Sequence, residues 1–219
     1  MENSTLHNIY YRLLKHYGPQ YWWPGDSPFE IMVGAILTQS VAWQNVEKAI
    51  ANLKNAGMMS PSALRNIATD KLAKLIHATG YYNAKALKLK AFVRWLGAFY
   101  GDDLNKLFIL DTDILRQQLL NVYGIGPETA DSILLYAGSK PVFVIDGYTR
   151  RIISRLGLTP EKDNYDAYQK LFIKQLPQDV GLFNEYHALL VRHGKDACRK
   201  LPICGNCCLR EICYFHSDE

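Results

Sequence analysis

The stretch VYGIGPETADSI, from Val122 to Ile133, contains two glycines that flank a single apolar residue, and a helical pattern follows at once. Glycine tolerates positive φ and lets a ligand come close to the backbone. A helix that starts directly after Gly126 would point its N–H groups and its positive dipole end outward, which suits a phosphate group. Taken alone, however, a G-x-G turn is adequately explained as a tight connection between two helices. The stretch therefore predicts a helix–hairpin–helix, whose role depends on the rest of the chain.

The length and composition are those of a globular protein with one domain or two small ones. The chain has 219 residues, of which 48% are hydrophobic, and a formal net charge of +4 that permits an anionic partner without requiring one. No apolar run is long enough to cross a membrane, and the N-terminus lacks the apolar core of a signal peptide. We therefore expect a cytoplasmic protein, nucleoid-associated if the source is bacterial, without a membrane partner.

Helical signals run along most of the chain and predict an all-α protein. Ser27, Pro28 and Glu30 form a capping-box pattern, with Ser27 as N-cap, Pro28 in the first helical position and Glu30 reaching back to the cap. The apolar segment FEIMVGAILTQ that follows should be a buried helix. Thr112 is a further N-terminal signal. After an opening amphipathic segment, other helices are predicted around residues 46–54, 61–67, 71–76, 85–99, 113–120, 128–137, 148–156, 164–176 and 184–193.

The stretch PVFVID, residues 141–146, is rich in β-branched residues but has no partner strand, so it is predicted to be a buried connector. It ends at Asp146, directly before a helical segment. This carboxylate suits either the N-cap of that helix or a catalytic group that faces a cleft. Arg150 and Arg151 suit phosphate contacts, although paired arginines on a helix are more commonly solvated.

All five cysteines lie in one short tract near the C-terminus. Cys198, Cys204, Cys207 and Cys213 give the spacing C-x5-C-x2-C-x5-C, which indicates a metal site rather than disulfides in a reducing compartment. Four thiolates at this density suit an iron–sulfur cluster or a structural zinc ion, and the spacing alone does not decide between them.

Five motifs follow one another in a defined order along residues 28–213: LTQ, GYYNAKA, GIGPETAD, VIDGYTRR and HGKDAC, the last leading into the cysteine tract. This order resembles the helix–hairpin–helix DNA glycosylases of the endonuclease III superfamily. The resemblance implies a two-lobed, all-α fold. One lobe would span residues 28–138 and include the helix–hairpin–helix at about 113–137. The other would combine residues 1–27 with 139–219. DNA would lie across the cleft between them.

The resemblance also implies an activity, in which a damaged nucleotide is flipped out of the duplex and its N-glycosidic bond is cut. Asp146 matches the essential aspartate of the family and would lie at the mouth of the cleft. A fixed carboxylate there stabilises the positive charge left on the sugar and orients or activates the attacking water. The expected partner is double-stranded DNA with damaged bases, bound by a monomer.

Glu128 occupies the position at which the bifunctional members of the family carry a lysine. That lysine attacks the sugar carbon and forms a Schiff base, which permits strand cleavage. A carboxylate cannot perform this step, and Lys140 and Lys162 lie off the motif. A monofunctional glycosylase that uses water is therefore predicted.

The segment YWWPGDSPFEIMVGAILTQSVAW resembles its counterpart in the 3-methyladenine glycosylases of the superfamily, which also carry a glutamate at the lysine position. By this resemblance Trp22, Trp23 and Trp43 line the base pocket, and Gln39 enters the space left by the flipped base. Alkylated purines carry positive charge, which the face of an indole attracts. The alternatives are core packing for the tryptophans and a polar helix end for Gln39.

The family also carries a [4Fe-4S] cluster in the cysteine tract, held here by Cys198, Cys204, Cys207 and Cys213, with zinc as the alternative. The first loop of this chain has five residues where the family has six, and Cys208 is an alternative to Cys207. The 3-methyladenine branch need not carry the cluster. The predicted phosphate-binding residues lie in the hairpin and in the first cysteine loop: Gly124, Ile125, Gly126, Thr129, Arg199 and Lys200.

Two alternative functions stay open at the level of sequence. One is a glycosylase for another lesion, either an oxidised pyrimidine or a mismatched base. The other is a non-catalytic DNA-binding module that combines the same hairpin with a structural metal.

Overall fold

The computed structural model describes residues 5–215, which divide into two compact units. The hairpin unit comprises residues 23–140, and the terminal unit comprises the described parts of residues 1–22 and 141–219. The predicted all-α class is confirmed, since the described residues contain α-helices and short 3₁₀ or π turns but no strand. No helix in this part of the chain is both long and apolar enough to span a membrane.

The helices are numbered here in chain order. Those of the hairpin unit are α2 to α9, and those of the terminal unit are α1 and α10 to α12. Their bounds are α1 Thr5–Tyr17, α2 Pro28–Leu37, α3 Trp43–Asn55, α4 Pro61–Asn66, α5 Thr69–Leu75, α6 Tyr82–Tyr100, α7 Leu104–Phe108, α8 Thr112–Leu120, α9 Pro127–Ser132, α10 Gly147–Arg155, α11 Tyr165–Gln175 and α12 Val180–Asp196.

Helix α2 is the central helix of the hairpin unit and is buried along almost its whole length. It contacts α3, α6 and α9. As predicted, Ser27 is its N-cap, with the side-chain oxygen accepting from the Glu30 N–H, and Pro28 is the first helical residue. The Glu30 carboxylate differs from the prediction: it accepts from the N–H of Asp26 and pairs with Lys54 at 2.8 Å. A backbone N–H and a charged ammonium therefore hold the Glu30 carboxylate at the start of the buried helix.

Three further differences from the predicted helices have local causes. Helix α8 begins at Thr112, but its N-cap is Asp111, whose carboxylate accepts from two backbone N–H groups. The helix predicted over residues 128–137 is α-helical to Ser132 and continues as a π-helical turn, Ile133–Ala137. Helix α7 was not predicted, because it has only five residues and too little periodicity to detect.

The terminal unit is built around the connector 141–146, whose apolar side chains are buried as predicted. Buried backbone groups need hydrogen-bond partners, and α11 supplies two of them. The Gln169 amide donates to the Phe143 carbonyl at 2.8 Å, and the Tyr165 hydroxyl accepts from the Ile145 N–H at 3.3 Å. The Phe143 ring also stacks on Phe172 with centroids 3.8 Å apart. These contacts fix the backbone that leads into Asp146.

Candidate functional site

The hairpin between α8 and α9 is held by a buried ion pair and by a glycine in the left-handed region. Arg116 of α8 makes a bidentate contact with the fully buried Asp131 of α9, at 2.6 and 3.1 Å. Gly124 has φ +82, and a Cβ at this position would overlap the side chain of Lys88. Gly126 has an extended φ of −95 and open space around it. Only the first glycine is therefore demanded by the backbone.

The Gln39 side chain connects the end of α2 to this hairpin. Its amide nitrogen donates to the Gly124 carbonyl at 3.0 Å and to the Thr129 hydroxyl at 2.9 Å. Its amide oxygen accepts from the Lys88 ammonium of α6. Insertion of Gln39 into a DNA duplex stays a prediction, and it would require these hydrogen bonds to be released.

The structure distinguishes among the hairpin residues that were predicted to contact phosphate. The Ile125 N–H donates to the Val122 carbonyl at 3.1 Å, and its side chain is buried. Thr129 is also buried, and its hydroxyl accepts from Gln39. The Ile125 N–H and an acceptor site of the Thr129 hydroxyl are therefore used within the hairpin unit. Gly126 is exposed, so its backbone is open to a ligand.

Glu128 lies in the first turn of α9 and is exposed. A carboxylate in the first turn of a helix interacts favourably with the positive end of the helix dipole. A carboxylate has no amine with which to form an imine, and the absence of lyase activity stays a prediction.

Trp23 forms an aromatic cluster with Trp43 and Tyr136 in the hairpin unit. The Trp23 and Trp43 rings meet edge to face with centroids 5.2 Å apart, and the Tyr136 ring lies 5.2 Å from Trp23 in a tilted arrangement. The absence of a side chain at Gly34 makes room for Trp23, since a Cβ there would lie 3.2 Å from the indole nitrogen. Trp23 and Trp43 are half-buried residues. Trp22 is a half-buried residue of the terminal unit, and its pocket role stays a prediction.

Asp146 has one of the two roles that the sequence left open, and its catalytic role stays a prediction. It is the N-cap of α10, and its Oδ1 accepts from the Thr149 N–H at 2.7 Å. Its Oδ2 lies 3.9 Å from Nε2 of His187 on α12, and 13% of the Asp146 side chain is exposed. One oxygen thus orients the carboxylate by capping the helix, and the other lies toward His187.

His187 lies beside Asp146, a neighbour that the sequence did not reveal. It is 6% exposed, and burial lowers its pKa below the ordinary value, while the Asp146 carboxylate acts in the opposite direction. The imidazole is therefore neutral at neutral pH. No local sequence signal identifies it, because its proximity to Asp146 arises from the packing of α12 against α10.

The cysteines of the proposed ligand set lie around one apolar cavity in the terminal unit. Cys198, Cys204, Cys207 and Cys213 line this cavity, together with apolar side chains that include Ile152 and Leu156 and with the ring of His193. Cys208 is not among its lining residues, which favours Cys207 as the third ligand. Within residues 5–215 no group of three or more Cys, His, Asp or Glu side chains is arranged to hold a single metal ion.

Two arginines of α10 donate hydrogen bonds to the first cysteine loop, residues 198–204. Arg151 donates to the carbonyls of Cys198 and Gly194 at 2.9 and 3.0 Å. Arg155 donates to the Arg199 and Lys200 carbonyls at 2.6 and 2.9 Å, and to the Cys198 sulfur at 3.3 Å. The i,i+4 spacing of Arg151 and Arg155 was the available sequence signal, since it places both on one helix face.

The basic residues near these arginines have different environments. Arg150 was considered for a phosphate contact, and it pairs instead with Asp163 at 2.6 Å. Arg199 and Lys200 are exposed, as a DNA contact would require, and that contact stays a prediction.

Comparison with known proteins defines the family. Residues 33–178 match the HhH-GPD superfamily base excision DNA repair protein. A protein of Methanocaldococcus jannaschii, assigned as a DNA repair glycosylase, is 46% identical over 212 residues that cover 96% of each chain. The chain therefore belongs to the HhH-GPD superfamily of base excision DNA repair proteins.

Two solved structures extend this comparison. The 3-methyladenine DNA glycosylase of H. pylori, bound to 1,N6-ethenoadenine, is 29% identical with a TM-score of 0.72 and covers 87% of this chain and 94% of its own. An endonuclease III–DNA complex is 20% identical with a TM-score of 0.84 and covers 98% of this chain and 96% of its own. The second match shows a shared fold.

Proposed function

We propose that this protein is a monofunctional DNA glycosylase that removes alkylated purines, of the 3-methyladenine type, from double-stranded DNA. The observation that carries the proposal is the aromatic cluster of Trp23, Trp43 and Tyr136, in which both tryptophans are half-buried residues. Alkylation at N3 or N7 gives a purine positive charge, and indole faces attract cations by about 0.5–2 kcal/mol. The likeness to the 3-methyladenine DNA glycosylase of H. pylori supports the same substrate class.

The proposed reaction uses Asp146 and water. The bond between the sugar carbon and the base nitrogen breaks, and its electron pair leaves with the base, so that positive charge develops on the sugar. The carboxylate of Asp146 stabilises this charge. Water then forms the new carbon–oxygen bond and passes its proton to the carboxylate. A purine that already carries positive charge leaves readily, so no separate general acid is required.

Hydrolysis without strand cleavage is proposed because Glu128 stands at the lysine position of the motif. A lyase needs an accessible amine at the sugar. Lys140 donates from its ammonium to the Leu110 carbonyl at 2.6 Å, and Lys162 is an exposed residue that lies outside the hairpin motif in the sequence. We therefore expect an intact strand with an abasic site as the first product.

A [4Fe-4S] cluster held by Cys198, Cys204, Cys207 and Cys213 is part of the proposal, with zinc as the alternative. The four thiols line one apolar cavity, and arginines fasten the backbone of their first loop. Burial raises the pKa of Cys207 and Cys213, a cost that a bound cation removes. When bound, the cluster would supply a rigid scaffold for the loop that carries Arg199 and Lys200, and the proposed chemistry would stay with Asp146.

A second candidate is a glycosylase for oxidised pyrimidines or mismatched bases. The observation that favours it is the cysteine tract, which is typical of endonuclease III and which the 3-methyladenine branch need not carry.

The experiment that separates the candidates is a panel of duplexes, each with one lesion: an alkylated purine, an oxidised pyrimidine, or a mismatched uracil or thymine. We expect release of the free base from the alkylated duplex and slower release from the others. Asp146→Asn is the matched control, because asparagine is an equally good N-cap and keeps the helix start. It should slow base release by about 10²- to 10⁴-fold with DNA binding retained. Equal loss of binding and activity would instead indicate a structural role for Asp146.

A further inference from the structure

A buried histidine lies behind the proposed catalytic carboxylate and has no part in the chemistry described so far. His187 on α12 has 7% of its side chain exposed, and its Nε2 faces Oδ2 of Asp146 at 3.9 Å. Polar groups are buried at a cost, so a histidine in this position calls for a specific partner. The carboxylate of Asp146 is the charged group that faces it.

The two oxygens of Asp146 have different surroundings. Oδ1 is held by the Thr149 N–H at 2.7 Å, which fixes one edge of the carboxylate at the start of α10. Rotation of the carboxylate about this hydrogen bond moves Oδ2. The His187 ring lies next to Oδ2, with Nε2 at 3.9 Å. The histidine ring thus limits the positions open to the oxygen that is left for chemistry.

We propose that His187 is a positioning residue that holds Oδ2 of Asp146 in its reactive orientation through an Nε2–H group. The inference rests on the proposed function, in which Asp146 is the catalytic carboxylate. A separation of 3.9 Å is longer than a hydrogen bond, so the interaction in the DNA-free protein is electrostatic. Catalytic hydrogen bonds are often long in the free enzyme and shorten when the substrate binds.

The neutral state of the ring is consistent with this role. Burial favours the uncharged imidazole, which carries one proton on either ring nitrogen. The tautomer with the proton on Nε2 points an N–H donor toward Oδ2 of Asp146. The ring keeps that proton throughout, since the proton released by the attacking water goes to Asp146.

Single-turnover kinetics on the cleaved lesion test the proposal with three variants. His187→Phe fills the same space without a donor and should slow base excision by about 10- to 100-fold, which is the fold-change expected for loss of a hydrogen bond to a charged group. DNA affinity should not change. His187→Gln keeps an N–H donor and should recover part of the rate.

Tyr186→Phe is the matched control, because it removes a different buried hydrogen bond of the same helix, from the Tyr186 hydroxyl to the Leu6 carbonyl at 2.9 Å. It should lower stability while the rate is kept. A His187→Phe enzyme with the wild-type rate would overturn the proposal.

A readout independent of activity separates this inference from the proposed function. Nitrogen NMR of the His187 ring should find the proton on Nε2 in the wild type, with a resonance that shifts in Asp146→Asn. A proton on Nδ1 overturns the positioning role even if the enzyme excises bases. If no duplex in the panel is cleaved but the Nε2 proton and its shift are present, the proposed function fails and the His187–Asp146 interaction stands.

Discussion

At the scale of single residues, the hairpin contains two glycines with different requirements. Gly124 combines a φ of +82 with close contact to Lys88, which itself donates to Gln39. Gly126 has an extended backbone with open space around it. The backbone therefore requires glycine at the first position of the G-x-G turn and does not require it at the second.

This difference gives a direct test by alanine substitution. Gly124→Ala should lower the free energy of unfolding by about 1–3 kcal/mol, because a left-handed backbone strains a residue with a Cβ and the Lys88 side chain must move. Gly126→Ala should lower it by less, since alanine adopts this extended backbone without strain and only the preference for glycine over alanine at a helix N-cap is lost. Urea unfolding of the two variants beside the wild type makes the comparison. Equal losses at the two positions would show that the observed φ difference does not control stability.

Asp146 and His187 show what can and what cannot be predicted from the sequence. Asp146 is predicted from the sequence because a carboxylate directly after a buried connector is a local pattern within a recognisable order of motifs. His187 was not found, because a buried histidine in the middle of an amphipathic helix looks like any other core residue. Its relation to Asp146 exists only once α12 packs against α10.

At the scale of helices, α6 holds the end of α2 through two lysines that lie one turn apart. Lys85 is 2% exposed, and its ammonium donates to the Leu37 carbonyl at 2.8 Å and to the Thr79 carbonyl at 2.7 Å. Lys88 donates to the amide oxygen of Gln39, just after that helix. The GYYNAKA motif thus supports the turn that presents Gln39, a role that its sequence alone did not indicate.

The burial of Lys85 predicts a pH dependence of stability. Burial, with a smaller effect from Lys88, lowers the pKa of Lys85 from its ordinary value of 10.5 to about 8. Below pH 8 the folded and unfolded chains both carry the proton. Between about pH 8 and pH 10.5 only the unfolded chain binds it, so this group's contribution to stability rises with pH.

We therefore expect the unfolding free energy of the wild type to rise relative to that of Lys85→Met between about pH 7 and about pH 10. Denaturant unfolding of both proteins across this range provides the measurement. A difference that stays constant, or that falls as the pH rises, would contradict a lowered pKa at Lys85.

Helix positions were predicted well where the signals are local. Ser27 and Pro28 mark the start of α2 as expected, because capping needs only neighbouring residues. The π-helical turn after α9 was not foreseen, nor was α7, since neither is encoded by a long apolar repeat. The hydrogen bonds of Gln39 to Gly124 and Thr129 join distant segments, and no pattern in the sequence specifies them.

At the scale of the whole molecule, each unit contributes a separate part of the proposed chemistry. The hairpin unit carries the hairpin, Glu128 and the Trp23 cluster, while the terminal unit carries Asp146, His187 and the cysteine tract. The order of the motifs in the sequence already indicated that these parts belong to one kind of protein. It did not show how α10 arginines organise the cysteine loop.

Paired serine substitutions test the assignment of the metal ligands. Cys207 lines the cavity and Cys208 does not, so Cys207→Ser should lose iron and acid-labile sulfide, and Cys208→Ser should keep about four of each per chain. Elemental analysis of the purified proteins gives the result. Loss confined to Cys208→Ser would reverse the assignment, and zinc without sulfide would establish the alternative metal.

The central claim, base removal by water without strand cleavage, is tested most directly on a duplex with a single alkylated purine. The duplex is incubated with the wild-type protein, and one half of the sample is treated with borohydride while the other is resolved before and after alkali. We predict release of the free base, a strand that stays intact until alkali cuts it at the abasic site, and no covalent protein–DNA adduct. A borohydride-trapped adduct, or a strand already cut before alkali, would contradict the claim.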